Sequence, residues 1–486
     1  MKVSIRMLYV FFATLFFLIC SIFIGVEPMF VLVLVIWTLF IFYACNNLKD
    51  RSMLFAFLIA FFIFLLGRDF VQQFFKYQIE FFDPDTQFHV YFSEILSLVV
   101  LAFSYMFFAK CRTGSMKKTE YEYRVGHINN VRKISQYVYY MSWMVAVISR
   151  ILVGRFVSNY GFTSYYIDYS EYLRGNTILY LISKVALIMP VAWCIYLSTR
   201  PPKDKIRIPL LLYLIYLGTS IIGTGQRSTA LLGLLFLFVY FMYRNGLDPS
   251  EHWITRKITI IGTLALPLIA VFVSAYSEWR ESGIMTVSSF NSGIMDFFYD
   301  QGVTSNITKR AFMYKERIPD QIYTLEFLHS GILARLLNIK VYHGNTVEHA
   351  MYGGSFTHSL GYVVLGSSYL AGRGTGSCYI AELYQDFGYL GILLGNILYG
   401  FILVKIANRE KDSGIFWTSI KFYIITQIIW AVRASFSGFI SQLLAPTTIA
   451  TFIFIFGLAY MWEHSRRSRN YVDNIKVKTG IGNEQR

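Results

Sequence analysis

Four arginines stand in short polar motifs: Arg227 in GTGQRST, Arg280 in SEWRES, Arg373 in AGRGTG and Arg433 in WAVRASFSG. A guanidinium is a planar fork of donors, and several converging from different segments can grip one multiply charged phosphate through paired, charge-assisted hydrogen bonds. Taken singly, each has a plainer reading as a boundary side chain snorkelling to lipid headgroups. Groups able to move protons are expected on the same face as these arginines: Glu382 in IAELY, Asp386, His349 and His358, with Glu278 and Glu348 less favoured. A carboxylate on an apolar segment has its pKa raised by desolvation, and an imidazole ordinarily titrates near neutrality. Either serves as a general base. Glu382 is the first candidate and His358 the second, with Arg280 grouped beside them as catalytic. The alternative for Glu382 is a structural ion pair with Arg373 or another of these arginines.

Glycines at 372, 374 and 376 permit positive φ and close approach of the backbone to a ligand. The segment GTGQRST, 223–229, has the look of a nucleotide loop but lacks the lysine of a Walker A motif. Its Ser228 and Thr229 hydroxyls, with the start of the next helix, instead add donors for an anion. Five cysteines and eight histidines are scattered without zinc spacing or an HExxH pair. Chemistry without a metal or other cofactor is expected.

What must position these residues is a membrane bundle. The chain has 486 residues, 55% hydrophobic and only 15% charged, with a mean hydropathy of +0.47, the composition of an all-α integral membrane protein. Windows long enough to cross about 30 Å of hydrocarbon fall at 7–26, 29–45, 53–71, 89–109, 134–154, 177–198, 209–224, 227–243, 258–277, 387–407, 415–433 and 438–462, about twelve spans. The first returns through Glu27-Pro28 into a second apolar run with no small-residue cleavage site, and reads as a retained anchor.

The formal charge of +15 follows topology. Lys and Arg concentrate on alternate loops and both ends: Lys49 and Arg51, Lys110 to Lys133, Arg200 to Arg207, Arg256-Lys257, Arg409 to Lys411, and Arg466 to Lys478. The positive-inside rule puts these loops and both termini in the cytoplasm, facing anionic lipid. No nucleic-acid module is present, so the bilayer is the partner that this charge implies.

The chain reads as one membrane domain, 1–486, carrying a long outer segment at 278–386, far beyond ordinary loop lengths. Within it, 324–339 places Leu325, Leu328, Ile332, Leu333, Leu336 and Leu337 on one helical face, predicting an amphipathic helix on the membrane. Residues 356–371 are apolar but too short to span, which predicts a re-entrant or interfacial element. The run Tyr160, Tyr165, Tyr166, Tyr169 and Tyr172 forms an interfacial belt or a stacking platform for sugars, with Tyr165, Tyr166 and Tyr169 as its glycan contacts. Lys184, Lys421, Arg150 and Asp69 fall inside spans and need partners there, and Lys184 could extend the phosphate site downward.

The GTGQRS hairpin, SEWR at a helix end, FYDQGVTSN at 298–306, GRGTGSCYIAELYQDFGYLG before a late span, and the large outer loop together resemble the Wzy-type bacterial polysaccharide polymerases. The resemblance covers most of the length. It implies a GT-C-like, metal-independent membrane glycosyltransferase whose donor is a glycan on undecaprenyl pyrophosphate, with the active site on the outer face of the bacterial cytoplasmic membrane. A hydroxyl at the non-reducing end of one repeat unit attacks the anomeric carbon of the growing chain, and lipid pyrophosphate leaves. Under this resemblance Arg227, Arg280 and Arg433, with Arg373 as a fourth, hold the pyrophosphate and stabilise its developing charge, and Glu382 or His358 assists the hydroxyl. A flippase and a chain-length regulator are the partners it implies. A ligase moving finished glycan to another acceptor would need nearly the same residues. A transporter of the lipid-linked glycan would place polar groups near the midplane, often with repeat symmetry, and no repeat is visible here.

Overall fold

The computed structural model describes residues 5–110, 121–224, 227–282, 290–407 and 414–479, less some side chains inside those helices, Arg227, Arg280 and Tyr166 among them. Every regular element among the described residues is helical. In a bilayer this follows from the backbone, because a helix satisfies its own N–H and C=O groups where no water can.

Eight helices are long and apolar enough to cross a membrane: Pro28–Cys45, Leu48–Phe75, Pro84–Lys110, His127–Tyr160, Thr177–Ser198, Ser228–Leu247, Tyr379–Ala407 and Ile415–Arg433. These eight account for most of the twelve windows. Helices also lie over the other four, at Ile5–Ser21, Lys203–Thr224, Arg256–Ser282 and Pro446–Thr479. Local chemistry sets several ends. Glu27 accepts a hydrogen bond from Phe30 N at 2.7 Å and Pro28 occupies the first turn. Asn176 accepts from Ile178 N and Leu179 N at 3.1 and 3.2 Å to open the Thr177–Ala186 helix.

Leu48–Phe75 is not a uniform α-helix. Residues Phe62–Leu66 form a π turn, immediately followed by Gly67, Arg68 and Asp69, whose side chains are buried in the bundle. Tyr379–Ala407 packs most extensively on Pro84–Lys110. It is broken at Gly388, with φ 62° and ψ −151°, a conformation open chiefly to glycine. The break falls two residues after the end expected for the long loop.

That loop differs from a simple lid. Its first part folds into helices Phe290–Gln301 and Thr304–Met313, and the second is swallowed by the bundle, with Thr304, Ser305, Asn306, Ile307, Thr308, Lys309 and Ala311 all buried. The predicted amphipathic helix over 324–339 is absent. Instead a 3-10 segment, Tyr323–His329, ends at extended Ser330 and a short helix follows at Gly331–Leu336. The reason is that Asp386 accepts from Tyr323 N and Thr324 N, pinning the segment's start in a tight turn. Leu336 and Leu337 remain exposed. The apolar segment 356–371, expected to be re-entrant or interfacial, folds as two short helices, Phe356–Leu365 and Ser367–Leu370, with Phe356, Ser359 and Leu360 fully buried.

Candidate active site

The segment 298–309 organises the polar interior. A Cβ on Gly302 would lie 2.2 Å from the backbone nitrogen of Arg68, so only glycine lets this turn press against the helix beyond the π turn. From that contact the side chains of the motif reach three elements. The Arg68 guanidinium lies 3.8 Å over the Tyr299 ring and pairs with Glu80 at 2.6 Å. Glu80 also accepts from Tyr299 Oη at 3.1 Å and from the Asn306 amide. Burial alone raises the Glu80 carboxyl, but the Arg68 charge and the donated hydrogen bonds outweigh it and hold the group below the ordinary carboxylate range.

One step deeper, Asp69 accepts from Lys309 Nζ at 2.6 Å and from Ser305 Oγ at 2.7 Å, the two charged side chains each being 3% exposed. Asp69 thus has the partners that its place in a span demands. Glu94 is wholly buried beside this pair, and among the described residues neither of its oxygens takes a hydrogen bond.

Arg433 closes the same hub from another helix. It ends the 3-10 turn Ala431–Arg433 and donates to Gln301, to the carbonyl at 2.8 Å and to Oε1 at 3.3 Å, with its guanidinium carbon 5.7 Å from the Phe64 ring and 5.8 Å from that of Trp430. Two arginines from different helices therefore meet one motif, Arg68 at Tyr299 and Arg433 at Gln301.

Glu382 fastens the strand of chain that carries Arg433. It is fully buried and accepts from Ser377 Oγ at 2.5 Å, Ser435 Oγ at 3.2 Å and Phe436 N at 2.8 Å. Tyr399 Oη donates to the Phe436 carbonyl at 2.6 Å from below. Among the described residues Glu382 makes no ion pair with an arginine; serine hydroxyls and a backbone N–H occupy its oxygens. Arg373 is exposed, and its loop is held through the backbone, with the Arg373 carbonyl accepting from Asn345 Nδ2 at 2.9 Å. Gly372 and Gly376 take positive φ, at 89° and 80°.

The two histidines stack, with ring centroids 3.6 Å apart. His349 Nδ1 meets the Gly344 carbonyl at 2.8 Å and must donate to it, which leaves Nε2 with the lone pair in the neutral ring. His358 Nδ1 shares a hydrogen bond with Tyr369 Oη at 2.8 Å. The expectation that His358 titrates near neutrality is corrected here: burial, then the neighbouring His349, lowers it to about 3. Burial lowers His349 too.

A model of the O-antigen polysaccharide polymerase Wzy family matches residues 5–465. The chain belongs to that family. Neither the curated proteins nor the solved structures compared with it gave a match. As a Wzy-family protein it is an integral inner-membrane polymerase of lipid-linked O-antigen repeat units.

In this Wzy-family chain the side chains of Arg227 and Arg280, two of the expected phosphate ligands, lie outside the described residues. Arg433 joins the hub and Arg373 does not. Lys184 sits 5.0 Å from the Tyr180 ring and Arg150 donates to Tyr216 Oη at 3.0 Å. The Tyr165 and Tyr169 rings meet at a tilt of 33° with centroids 5.0 Å apart, and the Tyr166 side chain lies outside the described residues. Sequence reasoning missed Arg68, Glu80 and Lys309. The signal was the pair Arg68-Asp69 in an otherwise apolar window, with only Asp69 singled out. Among the described residues, no group of three or more His, Cys, Asp or Glu side chains is placed to hold a metal ion.

Proposed function

We propose that the chain joins oligosaccharide repeat units carried on undecaprenyl pyrophosphate at the outer face of the cytoplasmic membrane, without a metal. The family match over residues 5–465 carries this reading. In the reaction, a hydroxyl of one unit attacks the anomeric carbon of the other glycan, the bond from that carbon to the pyrophosphate oxygen breaks, and the hydroxyl proton passes to a base. Arg433 grips the departing pyrophosphate, with Arg227 and Arg280 joining from their helix ends and Arg373 from the glycine loop. Placed donors of this kind stabilise charge as it develops, and do so most strongly where water is scarce.

Arg68 joins this set as the second arginine of the hub. Its charge is partly committed to Glu80, so its part is to hold Tyr299 and Gln301 in register for Arg433. For the base, Glu382 requires that its three hydrogen bonds open first. The imidazole pair is better placed, with His349 Nε2 free to accept and His358 behind it. Glu326 supports this arrangement, since its charge favours the protonated ring of His349. The side facing outward follows from the basic loops at the opposite ends of the helices.

Deletion in the native host tests the reading, followed by gel separation of surface and lipid-linked glycans. Glycans stalled at one repeat unit are expected. Long chains left on the carrier would instead make the chain a ligase, and single units trapped on the inner leaflet would make it a transporter. Arg433→Ala should reproduce the single-unit phenotype with normal protein levels, and full-length glycan from that variant would remove Arg433 from the mechanism.

A further inference from the structure

Away from the hub, a cavity of about 240 Å³ opens at the end of the His127–Tyr160 helix, against Tyr169–Arg174 and Thr177–Ala186. Its aromatic wall is Phe156, Tyr160, Tyr169 and Tyr172, whose rings form one cluster with centroids 4.9 to 6.5 Å apart. Arg155 and Asn159 complete the lining from the same helix. Both are exposed, and neither spends its side chain on a hydrogen bond or ion pair within the described residues. The helices around the cavity pack on Ile188–Ser198 and Lys203–Thr224, whereas Thr304–Met313 packs on Pro84–Lys110 and Tyr379–Ala407. Successive spans alternate in direction, so the cavity opens at the same end of the bundle as Arg68, Glu80 and Arg433.

Size and lining select the occupant. Drug-sized ligands fill pockets of roughly 300 to 1,000 Å³, so this space takes one ring with its substituents rather than an oligosaccharide or a long acyl chain. Tyrosine offers a flat apolar face and a polar tip, the pair of surfaces that a pyranose presents in turn with its C–H face and its hydroxyl edge. The unspent guanidinium of Arg155 and amide of Asn159 add directed donors that a hydrocarbon tail would leave unused. A pocket for lipid would hide such groups rather than place them on its wall.

We propose that this cavity is a holding site for one pyranose of the growing glycan, stacked on the tyrosines, with Arg155 and Asn159 hydrogen-bonding its carboxyl, acyl or hydroxyl oxygens. The inference rests on the polymerase reading and adds a second point of attachment, distinct from the place where pyrophosphate leaves. Its effect is on length. A chain held at two points stays at high effective concentration near the transfer site between additions, so each enzyme extends one chain further before releasing it.

The test uses membranes containing the full chain, supplied with lipid-linked single repeat units from the host. Arg155→Ala and Asn159→Ala sit on exposed positions, so folding is expected to survive. Formation of the first dimer of units should continue at an unchanged rate, while the product ladder shortens by about threefold or more as the second attachment is lost. In parallel, delipidated single-unit oligosaccharide from the host's own surface polysaccharide should quench tyrosine fluorescence of the purified protein, and Arg155→Ala should weaken that binding about tenfold, as for loss of a charged hydrogen bond. An unchanged ladder with unchanged binding overturns the holding site and leaves the polymerase intact. Competition by polyprenyl phosphate but not by the oligosaccharide also overturns it, as a lipid pocket. Failure of the unaltered chain to form even the dimer would refute the polymerase reading itself.

Discussion

Residues 298–309 and residues 366–378 are both dense with polar motif, and both belong to the long loop, yet they occupy opposite environments. In the first, Lys309 is inserted into the bundle against Asp69 while Tyr299 and Asn306 converge on Glu80. In the second, Arg373 is exposed and the loop is held by its backbone through Asn345 and by its Ser377 hydroxyl on Glu382. The first segment is a fixed frame, because a buried charge tolerates no loss of its partner. The second keeps the Arg373 side chain at the surface, its contacts being made by backbone and by Ser377. One loop thus carries charge committed inside the bundle and charge presented outside it.

The largest effect expected from this contrast is in the frame. Asp69→Ala or Lys309→Ala leaves one buried charge unpaired and should cost about 3–5 kcal/mol, read as lost protein in membranes or a lowered unfolding temperature in detergent. Replacing both together by Leu and Met should recover most of that stability, and failure to recover would mean that the pair does more than neutralise itself. Next comes the joint between the two regions. Glu382→Ala removes acceptors for Ser377, Ser435 and Phe436, and a displacement of Arg433 by an ångström would cost on the order of 100-fold in rate. Glu382→Gln keeps an acceptor oxygen and should restore much of kcat with KM little changed. Equal loss of rate in both variants would favour Glu382 as a proton acceptor after all.

Acid should loosen the segment around His358 before the hub. His358 has a folded pKa of about 3 against an ordinary value near 6.5, so the unfolded chain binds the proton first. The stability it contributes is fully present above about pH 6.5 and is lost progressively as pH falls toward 3. Hydrogen exchange over 345–370 should rise between pH 7 and pH 5 while exchange over 298–309 stays flat, and His358→Gln should blunt the rise. Smallest of all, Arg373→Ala should change stability by less than about 0.5 kcal/mol, as at most exposed positions. Polymer abolished in that variant at normal protein levels would show that the exposed loop carries as much of the pyrophosphate grip as Arg433 does.

Much of this was legible in the sequence, for identifiable reasons. Apolar runs give spans because the bilayer fixes their length, and glycine with arginine in the 366–378 stretch is conspicuous without any partner being known. The hub was not legible, because several of its pairs join residues more than two hundred positions apart, Asp69 with Lys309 and Glu80 with Asn306 among them. Nothing local marks Lys309, in TSNITKR, as a buried lysine. The broken helix at 324–339 escaped for a related reason. Its leucines have the right period, and the force that breaks them apart is the carboxylate of Asp386, far along the chain.

The π turn at Phe62–Leu66 has a consequence for how this molecule can vary. Such a turn is in effect one extra residue in a helix, and each residue advances an α-helix by about 100°. Phe62–Leu66 therefore sets the angular phase of everything after it, aiming Arg68 and Asp69 at the loop segment instead of at lipid. Deleting a single residue there would leave composition and hydropathy almost untouched, yet would dial both charges out toward the hydrocarbon. The helix can tolerate many exchanges of one apolar side chain for another in that stretch, but not a change in its count.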